Sequence, residues 1–168
     1  MAEPLDLLDS RHYEAVRLPA ADAAPLPNWC YTSENWYRLE VERIFRKVWV
    51  YVGHASRISE AGDFFTIDVA GAPVIVIRGD DGNIRAFHNS CRHRGARIAW
   101  GEGNRKALTC PYHTWTYARN GELIGTPLID EDDHFRYANL GLLEVRLEQW
   151  AGFLFVNFDD AAAPLTEW

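Results

Sequence analysis

The sequence predicts an all-β fold, an antiparallel sandwich or barrel with one leading helix. Short runs of β-branched and aromatic residues follow one another after about residue 64, and turns that contain glycine separate them. A spacing of roughly 8–12 residues per strand is typical of sandwiches and barrels, and it leaves no room for the helical crossovers that parallel strands require. One earlier stretch has apolar residues at helical rather than strand spacing, which adds the leading helix.

The first 31 residues are expected to form an extended N-terminal arm. Four of the eight prolines lie in this stretch, and the alanine-rich run 20–24 offers little side-chain surface to pack. A helix is then predicted from about residue 33 to 49, within a segment 32–53 that leads into the main domain. Ser33 is a favoured N-cap residue, and the residues after it place one apolar stripe along the helix. The stripe comprises Tyr37, Val41, Ile44, Phe45 and Val48.

Two turn signals pair the predicted strands into hairpins. Asp81-Gly82 marks one turn and Asn120-Gly121 marks another, since both dipeptides favour the tight turns that connect antiparallel neighbours. The main domain is expected to span residues 54–160. Its strands are predicted at residues 64–69, 74–78, 84–88, 114–118, 122–124, 142–148 and 153–158.

The charge and the apolar patterning exclude two classes of partner. The 168 residues include 17 Lys and Arg against 24 Asp and Glu, a formal net charge of −7, which removes the electrostatic basis for nucleic-acid binding. No apolar run approaches the roughly 20 residues of a membrane span, and the N-terminal MAEPLDLLDS lacks the features of a signal peptide. Three cysteines fit a reduced compartment better than a secreted protein. We therefore expect a cytoplasmic protein with neither nucleic-acid nor membrane partners.

Two of the three cysteines each have a histidine close by. Cys91 and His93 are separated by one residue, and Cys110 and His113 are separated by two. Each pair follows a short apolar segment, so we expect each pair to lie on a loop at the same end of the sheet. Two thiolates and two imidazoles that converge from two loops form a metal site.

The residues leave two kinds of metal site open. A set of two cysteines and two histidines can hold structural zinc, although zinc sites usually pair like residues along the chain. Mixed pairs suit a two-iron cluster in which one iron binds both cysteines and the other binds both histidines. The charges of two ferric ions, two sulfides and two thiolates sum to zero, so adding an electron costs less than it does in a four-thiolate cluster. Neutral imidazole ligands thereby raise the potential into a band of about −150 to +300 mV.

The two pairs lie in longer motifs that resemble a known family. Residues 89–96, NSCRHRGA, and residues 110–117, CPYHTWTY, resemble the Rieske [2Fe–2S] motif. The resemblance is to the alpha (large) subunit of Rieske non-heme iron oxygenases, the aromatic ring-hydroxylating type. Further stretches that resemble the N-terminal part of that subunit lie at residues 48–54, 61–64, 85–89 and 152–157.

The resemblance implies a fold and a cofactor. The fold is a Rieske-type antiparallel sandwich with two cluster-binding loops, preceded by the one N-terminal helix. The cofactor is one [2Fe–2S] cluster per chain. Cys91 and Cys110 would bind one iron. His93 and His113 would bind the other iron.

The motifs resemble the oxygenases more closely than the Rieske proteins of respiratory complexes. The respiratory proteins carry a further cysteine in each loop, and these two form a disulfide, whereas this chain has Ala96 and Tyr112 at those positions. They also place a serine that donates to the cluster where this chain has Trp115. Loss of that hydroxyl donor predicts a midpoint potential near the bottom of the band. Thr114 stands where glycine is commoner in the oxygenases, and it is expected to constrain the loop without a ligand role.

The resemblance also implies partners and a reaction. Electrons would come from a ferredoxin or a flavin reductase and pass to a mononuclear Fe(II) site in the catalytic domain of the same or a neighbouring alpha subunit, within a trimer. Residues 161–168 are expected to begin the link to that domain, so no catalytic residue is assigned and these residues alone are expected not to hydroxylate. The expected context is a monooxygenase or dioxygenase, as in aromatic hydrocarbon catabolism. A stand-alone Rieske ferredoxin is one alternative, and a zinc-stabilised binding module is another.

The other candidate residues are expected to have structural roles. Cys30 has no ligand-type neighbour in the sequence, and the acidic run 130–133 is expected to be a solvated loop, because a facial-triad iron site needs a second histidine. The histidines without mutual ligand spacing are His12, His54, His88 and His134. Three arginines are expected either to face an acidic partner or to hydrogen-bond the loops: Arg92, Arg94 and Arg97. The aromatic residues expected to shield a cluster from water are Trp100, Trp115 and Tyr117.

Overall fold

The computed structural model describes residues 6–127 and 139–168. The chain divides into two compact units, Met1–Ile44 and Phe45–Trp168, and all strands of the described residues lie in the second unit. No helix within the described residues is both long and apolar enough to cross a membrane.

The first unit contains short helical turns rather than the extended arm that the sequence predicts. Turns of 3-10 helix occupy Ser10–Tyr13 and Ala15–Arg17. The first turn contributes two rings to a cluster of four aromatic rings, in which the centroids of contacting rings lie between 5.3 and 6.4 Å apart, and such contacts stabilise a small core. The cluster comprises His12, Tyr13, Trp29 and Trp36. The prediction failed because these rings are far apart in the sequence and meet only in the folded unit.

The predicted helix begins where expected and ends early. Helix α1, Trp29–Thr32, comes first, and helix α2, Glu34–Glu40, begins at Ser33, whose hydroxyl oxygen accepts a hydrogen bond from the Trp36 N–H at 3.3 Å. A π-helical turn, Val41–Phe45, then ends the helical segment, whereas the prediction extended to residue 49. A π-turn adds a residue to the helical ring and rotates the side chains that follow it.

The predicted apolar stripe is not buried as one continuous face. Val41 is buried, whereas Tyr37, Ile44 and Phe45 are 45%, 48% and 38% exposed. The spacing along the sequence is that of a regular helix, and only the folded backbone departs from it.

Ten strands of the described residues form two antiparallel sheets. They are β1 Val50–His54, β2 Asp63–Val69, β3 Ala72–Arg78, β4 Ile84–His88, β5 Glu102–Asn104, β6 Leu108–Thr109, β7 Thr116–Tyr117, β8 Leu123–Gly125, β9 Glu144–Trp150 and β10 Phe153–Asn157. The larger sheet has the order β1-β10-β9-β4-β3-β2-β5, and the smaller has the order β6-β7-β8. Every pairing is antiparallel, so the all-β prediction is confirmed.

Both predicted hairpins are confirmed. β3 pairs with β4 across Asp81-Gly82, and β7 pairs with β8 across Asn120-Gly121. Gly121 has a φ of +88°, and a Cβ atom there would lie 2.5 Å from the ring of Phe87. The second turn therefore needs glycine both for its backbone conformation and for its close approach to β4.

β6 lies in the short apolar segment expected before Cys110, whereas two strands, β1 and β5, have no counterpart in the prediction. β1 falls in the segment assigned to the helix and its exit. β5 is wholly exposed and contains no apolar residue, so no hydrophobic pattern marks it. It exists because its backbone pairs with β2, where Asn104 lies opposite Asp63 and donates a hydrogen bond of 2.8 Å to that carboxylate.

Strand β3 is buried on both faces and separates two apolar clusters. Successive residues of a strand face opposite sides, so Ile75 and Ile77 belong to one cluster while Val74 and Val76 belong to the other. The first cluster also contains both cysteines of the predicted metal site. The site is therefore supported directly by the core of the second unit.

Candidate metal centre

Two loops carry the four predicted ligands. The first Cys/His loop, residues 89–99, follows β4, and the second Cys/His loop, residues 110–115, joins β6 to β7. In the first, the Cys91 N–H donates to the Ala96 carbonyl at 2.8 Å, and the Cys91 carbonyl accepts from the Gly95 N–H at 2.8 Å. The second loop repeats this pattern, so each cysteine is enclosed by the backbone of its own loop.

The second loop makes the same two bonds at the same spacing. The Cys110 N–H donates to the carbonyl of Trp115, five residues on, at 2.8 Å, and the Cys110 carbonyl accepts from the N–H of Thr114, four residues on, at 3.0 Å. The fourth residue after each cysteine has a left-handed backbone, with φ of +72° at Gly95 and +57° at Thr114. The two loops are therefore the same turn, built once with glycine and once with a β-branched residue, which rarely adopts this conformation.

A buried amide closes the first loop. Asn89 is 1% exposed, and its side-chain oxygen accepts hydrogen bonds from the N–H groups of Ile98 at 2.9 Å and Ala99 at 3.2 Å. Its amide nitrogen donates to the Ala99 carbonyl at 2.8 Å. One side chain thus joins the two ends of the loop. The sequence analysis included Asn89 in a motif but assigned it no role, since these partners are nine and ten residues away.

Both thiols lie in the apolar interior. Cys91 is 3% exposed and Cys110 is 2% exposed. Burial raises the pKa of the Cys110 thiol, and the neighbouring Cys91 raises this pKa further, while the N–H groups of Tyr112 and His113 lower it. These two N–H groups favour the thiolate, the form that binds metal, over the thiol.

Tyr117 places a hydroxyl group against the first thiol. Its oxygen lies 3.2 Å from Cys91 Sγ and accepts a hydrogen bond from the Arg92 N–H at 3.0 Å. When Cys91 is a thiolate, the form that binds metal, it has no proton to donate, so the Tyr117 hydroxyl is the donor of this contact. Tyr117 is fully buried, and burial raises the pKa of its hydroxyl, which keeps it protonated as a donor. The sequence analysis treated Tyr117 only as a shield from water and did not find this donor.

The two imidazoles face each other at the surface end of the site. His93 Nδ1 and His113 Nδ1 lie 3.1 Å apart, and both rings are partly exposed. Desolvation lowers the pKa of His93, and the adjacent His113 and Arg94 lower this pKa further. A lowered pKa favours the neutral ring, which is the form that binds a metal.

Each imidazole is stacked against one aromatic ring. The His93 ring lies parallel to the Trp115 indole, with centroids 4.8 Å apart and an interplanar angle of 10°. The His113 ring stacks on Tyr112, with centroids 3.8 Å apart and an angle of 29°. Trp115 is 5% exposed whereas Tyr112 is 59% exposed, so one imidazole rests on the core and the other on a surface side chain.

The donor set fits a two-iron cluster better than a single zinc ion. Two buried sulfurs form one pair, and two imidazoles that turn Nδ1 toward each other form the other. Zinc sites usually pair like residues along the chain, whereas each loop here carries one cysteine and one histidine. A [2Fe–2S] cluster of the mixed type needs two pairs on two irons, which is the arrangement that the loops present.

The remaining candidate residues lie in other surroundings. Cys30 belongs to the first unit, where its thiol meets the Tyr13 hydroxyl. His54 Nδ1 accepts a hydrogen bond from the Ser56 N–H at 3.2 Å, and His88 lies beside Phe158 with ring centroids 5.7 Å apart. His134 and the acidic run 130–133 lie outside the described residues. The predictions for these last residues therefore stay predictions.

Two of the three arginines hydrogen-bond near the loops. Arg92 donates to the Gly141 carbonyl at 3.2 Å, and Arg97 forms an ion pair with Asp68 at 2.9 Å. These contacts agree with the structural interpretation of the arginines. The shielding predicted for Trp115 and Tyr117 agrees with their burial, but Trp100 is 57% exposed and does not exclude water as predicted. Its neighbours Ile98 and Ala99 fill that part of the core instead.

Comparison with known proteins identifies the family. Residues 48–145 match the model of the Rieske [2Fe–2S] domain. The carnitine monooxygenase oxygenase subunit of Acinetobacter baumannii is 39% identical over 137 residues, which are 81% of this chain and 37% of that protein. The biphenyl 2,3-dioxygenase subunit alpha of Rhodococcus jostii is 42% identical over 139 residues, or 80% of this chain and 30% of that protein.

The fold agrees with solved structures of the same kind. A quaternary ammonium Rieske monooxygenase, described with inter-subunit electron transfer, superposes with a TM-score of 0.81 at 36% identity. The match covers 86% of this chain and 40% of the other, so the chain spans less than half the length of the relatives it matches. The matched domain includes both Cys/His loops. This chain therefore belongs to the Rieske [2Fe–2S] family, and its homologues are alpha subunits of Rieske oxygenases.

Proposed function

We propose that this chain is the electron-transfer part of an oxygenase alpha subunit. It would receive electrons from a ferredoxin or a flavin reductase and pass them to a mononuclear non-heme iron held by a catalytic domain outside these 168 residues. The observation that carries the proposal is the arrangement of the site, in which two thiols lie in the core and two imidazoles lie at the surface. The greater length of the relatives favours an oxygenase subunit over a stand-alone carrier.

The four residues of the two loops would hold the cofactor. Cys91 and Cys110 would bind one iron through their buried sulfurs. His93 and His113 would bind the other through the Nδ1 atoms that already face each other. When bound, the [2Fe–2S] cluster supplies a one-electron redox centre.

The surrounding side chains tune and orient this site. The core around the thiols excludes water, and the Tyr117 hydroxyl donates to Cys91 Sγ, which favours the more negative, reduced state. The stacked rings of Trp115 and Tyr112 hold the imidazole planes. Because both imidazoles are partly exposed, a redox partner can approach this end of the site closely.

The potential expected from these contacts lies in the lower part of the mixed-ligand band of about −150 to +300 mV. The serine donor of the respiratory proteins is replaced by Trp115, while Tyr117 supplies one hydroxyl donor from a different position. One donor raises the potential less than two donors would.

The test is anaerobic purification followed by metal and sulfide analysis and EPR spectroscopy of the reduced protein. We expect two irons and two acid-labile sulfides per chain and a rhombic signal with a low average g value. A colourless protein loaded with zinc would contradict the proposal and favour the binding module. A midpoint potential in the upper half of the band would contradict the assignment to the oxygenase type.

The substitution Cys91→Ser, compared with Cys30→Ser, identifies the ligands in the same experiment. The first change is expected to abolish the EPR signal, and the second is expected to leave it unchanged. Equal loss in both variants would indicate a general effect of cysteine removal rather than ligation.

A further inference from the structure

Aromatic residues cluster on three strands at one edge of the larger sheet and on the C-terminal segment, and all of them except the partly buried Phe155 are exposed. We call this cluster the aromatic face, and it comprises Tyr51, Trp150, Phe153, Phe155 and Trp168. Tyr51 lies opposite Phe155 across β1 and β10, and Phe153 lies opposite Trp150 across β10 and β9. Residues that alternate with these, Leu154 and Val156, are fully buried on the inner side.

The side chains of the aromatic face are large and adjacent, and four of the five are exposed. Tyr51, Phe153 and Trp150 are 53%, 42% and 61% exposed, although the Tyr51 ring contacts both Phe153 and Phe155 at centroid distances below 6 Å. β1 is the end strand of the sheet, so its outer backbone edge has no strand partner among the described residues. Soluble proteins rarely leave such a patch and such an edge uncovered unless something binds there.

The C-terminal segment folds back against this side of the sheet and is held there by specific bonds. The Leu165 N–H donates to Glu148 Oε2 at 2.8 Å, and the Trp49 indole N–H donates to the Ala163 carbonyl at 3.0 Å. Arg146 donates to the Ala162 carbonyl and pairs with Glu148 at 3.2 Å. The segment therefore has a defined path to its last residue.

That path ends in an apolar groove of the aromatic face. The groove has a volume of about 350 Å³ and is lined by Trp150, Phe155, Leu165, Thr166 and Trp168. Trp168 is 63% exposed, so the groove is only partly filled by the chain itself. Any polypeptide that follows Trp168 starts at this groove, and its tether gives it an effective concentration in the millimolar range.

We infer that the aromatic face is the docking surface for the polypeptide that follows Trp168, the catalytic portion of the same subunit. The inference rests on the proposed function, because it requires that the chain continue as its relatives do. This chain covers 37% of one relative and 30% of another, which leaves a domain-sized remainder to cover the face. A second copy of this chain is a poorer occupant, since each copy carries a net charge of −7 and the two would repel.

The aromatic face is distinct from the imidazole end of the metal centre. It lies on β1, β9, β10 and the C-terminal segment, whereas the Cys/His loops follow β4 and β6. The aromatic face would therefore bind the catalytic portion of the same subunit, and the imidazole end would stay accessible to redox partners.

The experiment compares the 168-residue chain with the longer polypeptide encoded by the source gene. Amide hydrogen exchange is measured at residues 51–54, 150–153 and 165–168 in both proteins, each loaded with its cluster. We expect at least tenfold slower exchange in the longer polypeptide. Equal exchange in the two proteins, or a reading frame that stops after Trp168, would overturn the inference.

A double substitution, Trp150→Ser with Phe153→Ser, tests the same surface by thermal unfolding. It is expected to shift the Tm of the 168-residue chain by no more than about 2 °C and to lower that of the longer polypeptide by at least about 4 °C. The matched control is Ile124→Ser, an apolar residue of β8 that is 54% exposed, which is expected to affect both proteins equally. Equal shifts from the double substitution in both proteins would overturn the inference.

Two further measurements distinguish a failure of the docking surface from a failure of the proposed function. Sedimentation of the 168-residue chain at increasing concentration detects a dimer, and a dimer that the double substitution abolishes would assign the face to a second copy and overturn the inference. EPR of the reduced chain is recorded on the same samples. A normal signal with an unprotected face overturns only the docking surface, whereas a missing signal overturns the proposed function.

Discussion

The two Cys/His loops have the same backbone turn but are stabilised by different means. Each cysteine carbonyl accepts a hydrogen bond from a left-handed residue four positions on, which is Gly95 in the first loop and Thr114 in the second. The first loop is closed by the buried Asn89 amide and has the Tyr117 hydroxyl against its sulfur. The backbone turn therefore encloses the sulfur in both loops, and we expect side chains from elsewhere in the domain to set the stability of each loop and the potential of the site.

The largest effect should be common to both loops. Cys91→Ser and Cys110→Ser each remove one of the two thiolates that would hold the same iron, so we expect either change to eliminate the cluster. Iron and sulfide content with EPR of the reduced protein measure the loss. If one variant kept its full iron content while the other lost it, the two loops would not share the ligand role that their common turn suggests.

The next effect should separate the loops. Asn89→Ala leaves two buried N–H groups and one carbonyl without their partner in the first loop, so its cost should fall on that loop. We expect the free energy of unfolding to fall by about 2–4 kcal/mol, measured by anaerobic urea denaturation. The control Asn120→Ala removes an exposed side-chain contact to the Glu122 N–H and should cost less than about 1 kcal/mol. Similar losses in the two variants would argue against a special role of the buried amide.

The potential should depend on the hydroxyl at the first loop and not on the one at the second. Tyr117→Phe removes the donor to Cys91 Sγ, which stabilises the reduced state more than the oxidised one. If the hydrogen bond stabilises the reduced state by about 1 kcal/mol more than the oxidised state, its removal lowers the midpoint potential by about 40 mV. Redox titration measures this change. Tyr112→Phe keeps the ring stacked on His113 and removes an exposed hydroxyl, so the potential should not change. An equal shift in both variants would contradict the hydrogen bond as the cause.

The smallest effects should come from substitutions at the left-handed position of each loop. Thr114→Gly relieves a left-handed β-branched residue, and after the larger chain entropy of unfolded glycine is subtracted we expect about 0.5–1 kcal/mol of added stability. Gly95→Ala should cost about 1 kcal/mol, although the nearest atom to the new Cβ, Ser90 Oγ, is 3.8 Å away and leaves space for it. Urea denaturation of both variants measures the sign. A destabilising Thr114→Gly would mean that the threonine side chain contributes more than its backbone strain costs.

The hairpins and the position of the two Cys/His loops were the most predictable features. Asp81-Gly82 and Asn120-Gly121 carry their turn preference in two adjacent residues, and both hairpins formed as expected. The Cys and His spacing likewise predicted two loops at one end of the sheet, because short separations restrict how far apart the side chains can lie. The helix start at Ser33 was correct for the same local reason.

The errors fall where distant parts of the chain decide the structure. β5 pairs with β2 across about forty residues and has no apolar pattern of its own. The arm folded because rings from Tyr13 to Trp36 meet, and the helix ended early at a π-turn that no residue in the sequence marks. The aromatic face was also invisible in the sequence, since the four consecutive apolar residues of β10 are equally typical of a strand buried on both sides.

The chemical nature of the site follows from residue types and short spacings in the sequence, namely two thiols and two imidazoles on two loops of an all-β domain. Those properties depend on residue type and on separations of a few residues, which the covalent chain restricts directly. Only the tertiary structure decided that Tyr117 donates to a sulfur 26 residues away, that Asn89 closes its loop, and that the two imidazoles differ in support. These contacts arise from packing between strands, where the surface buried across the whole domain, and not the local sequence, selects which side chains meet.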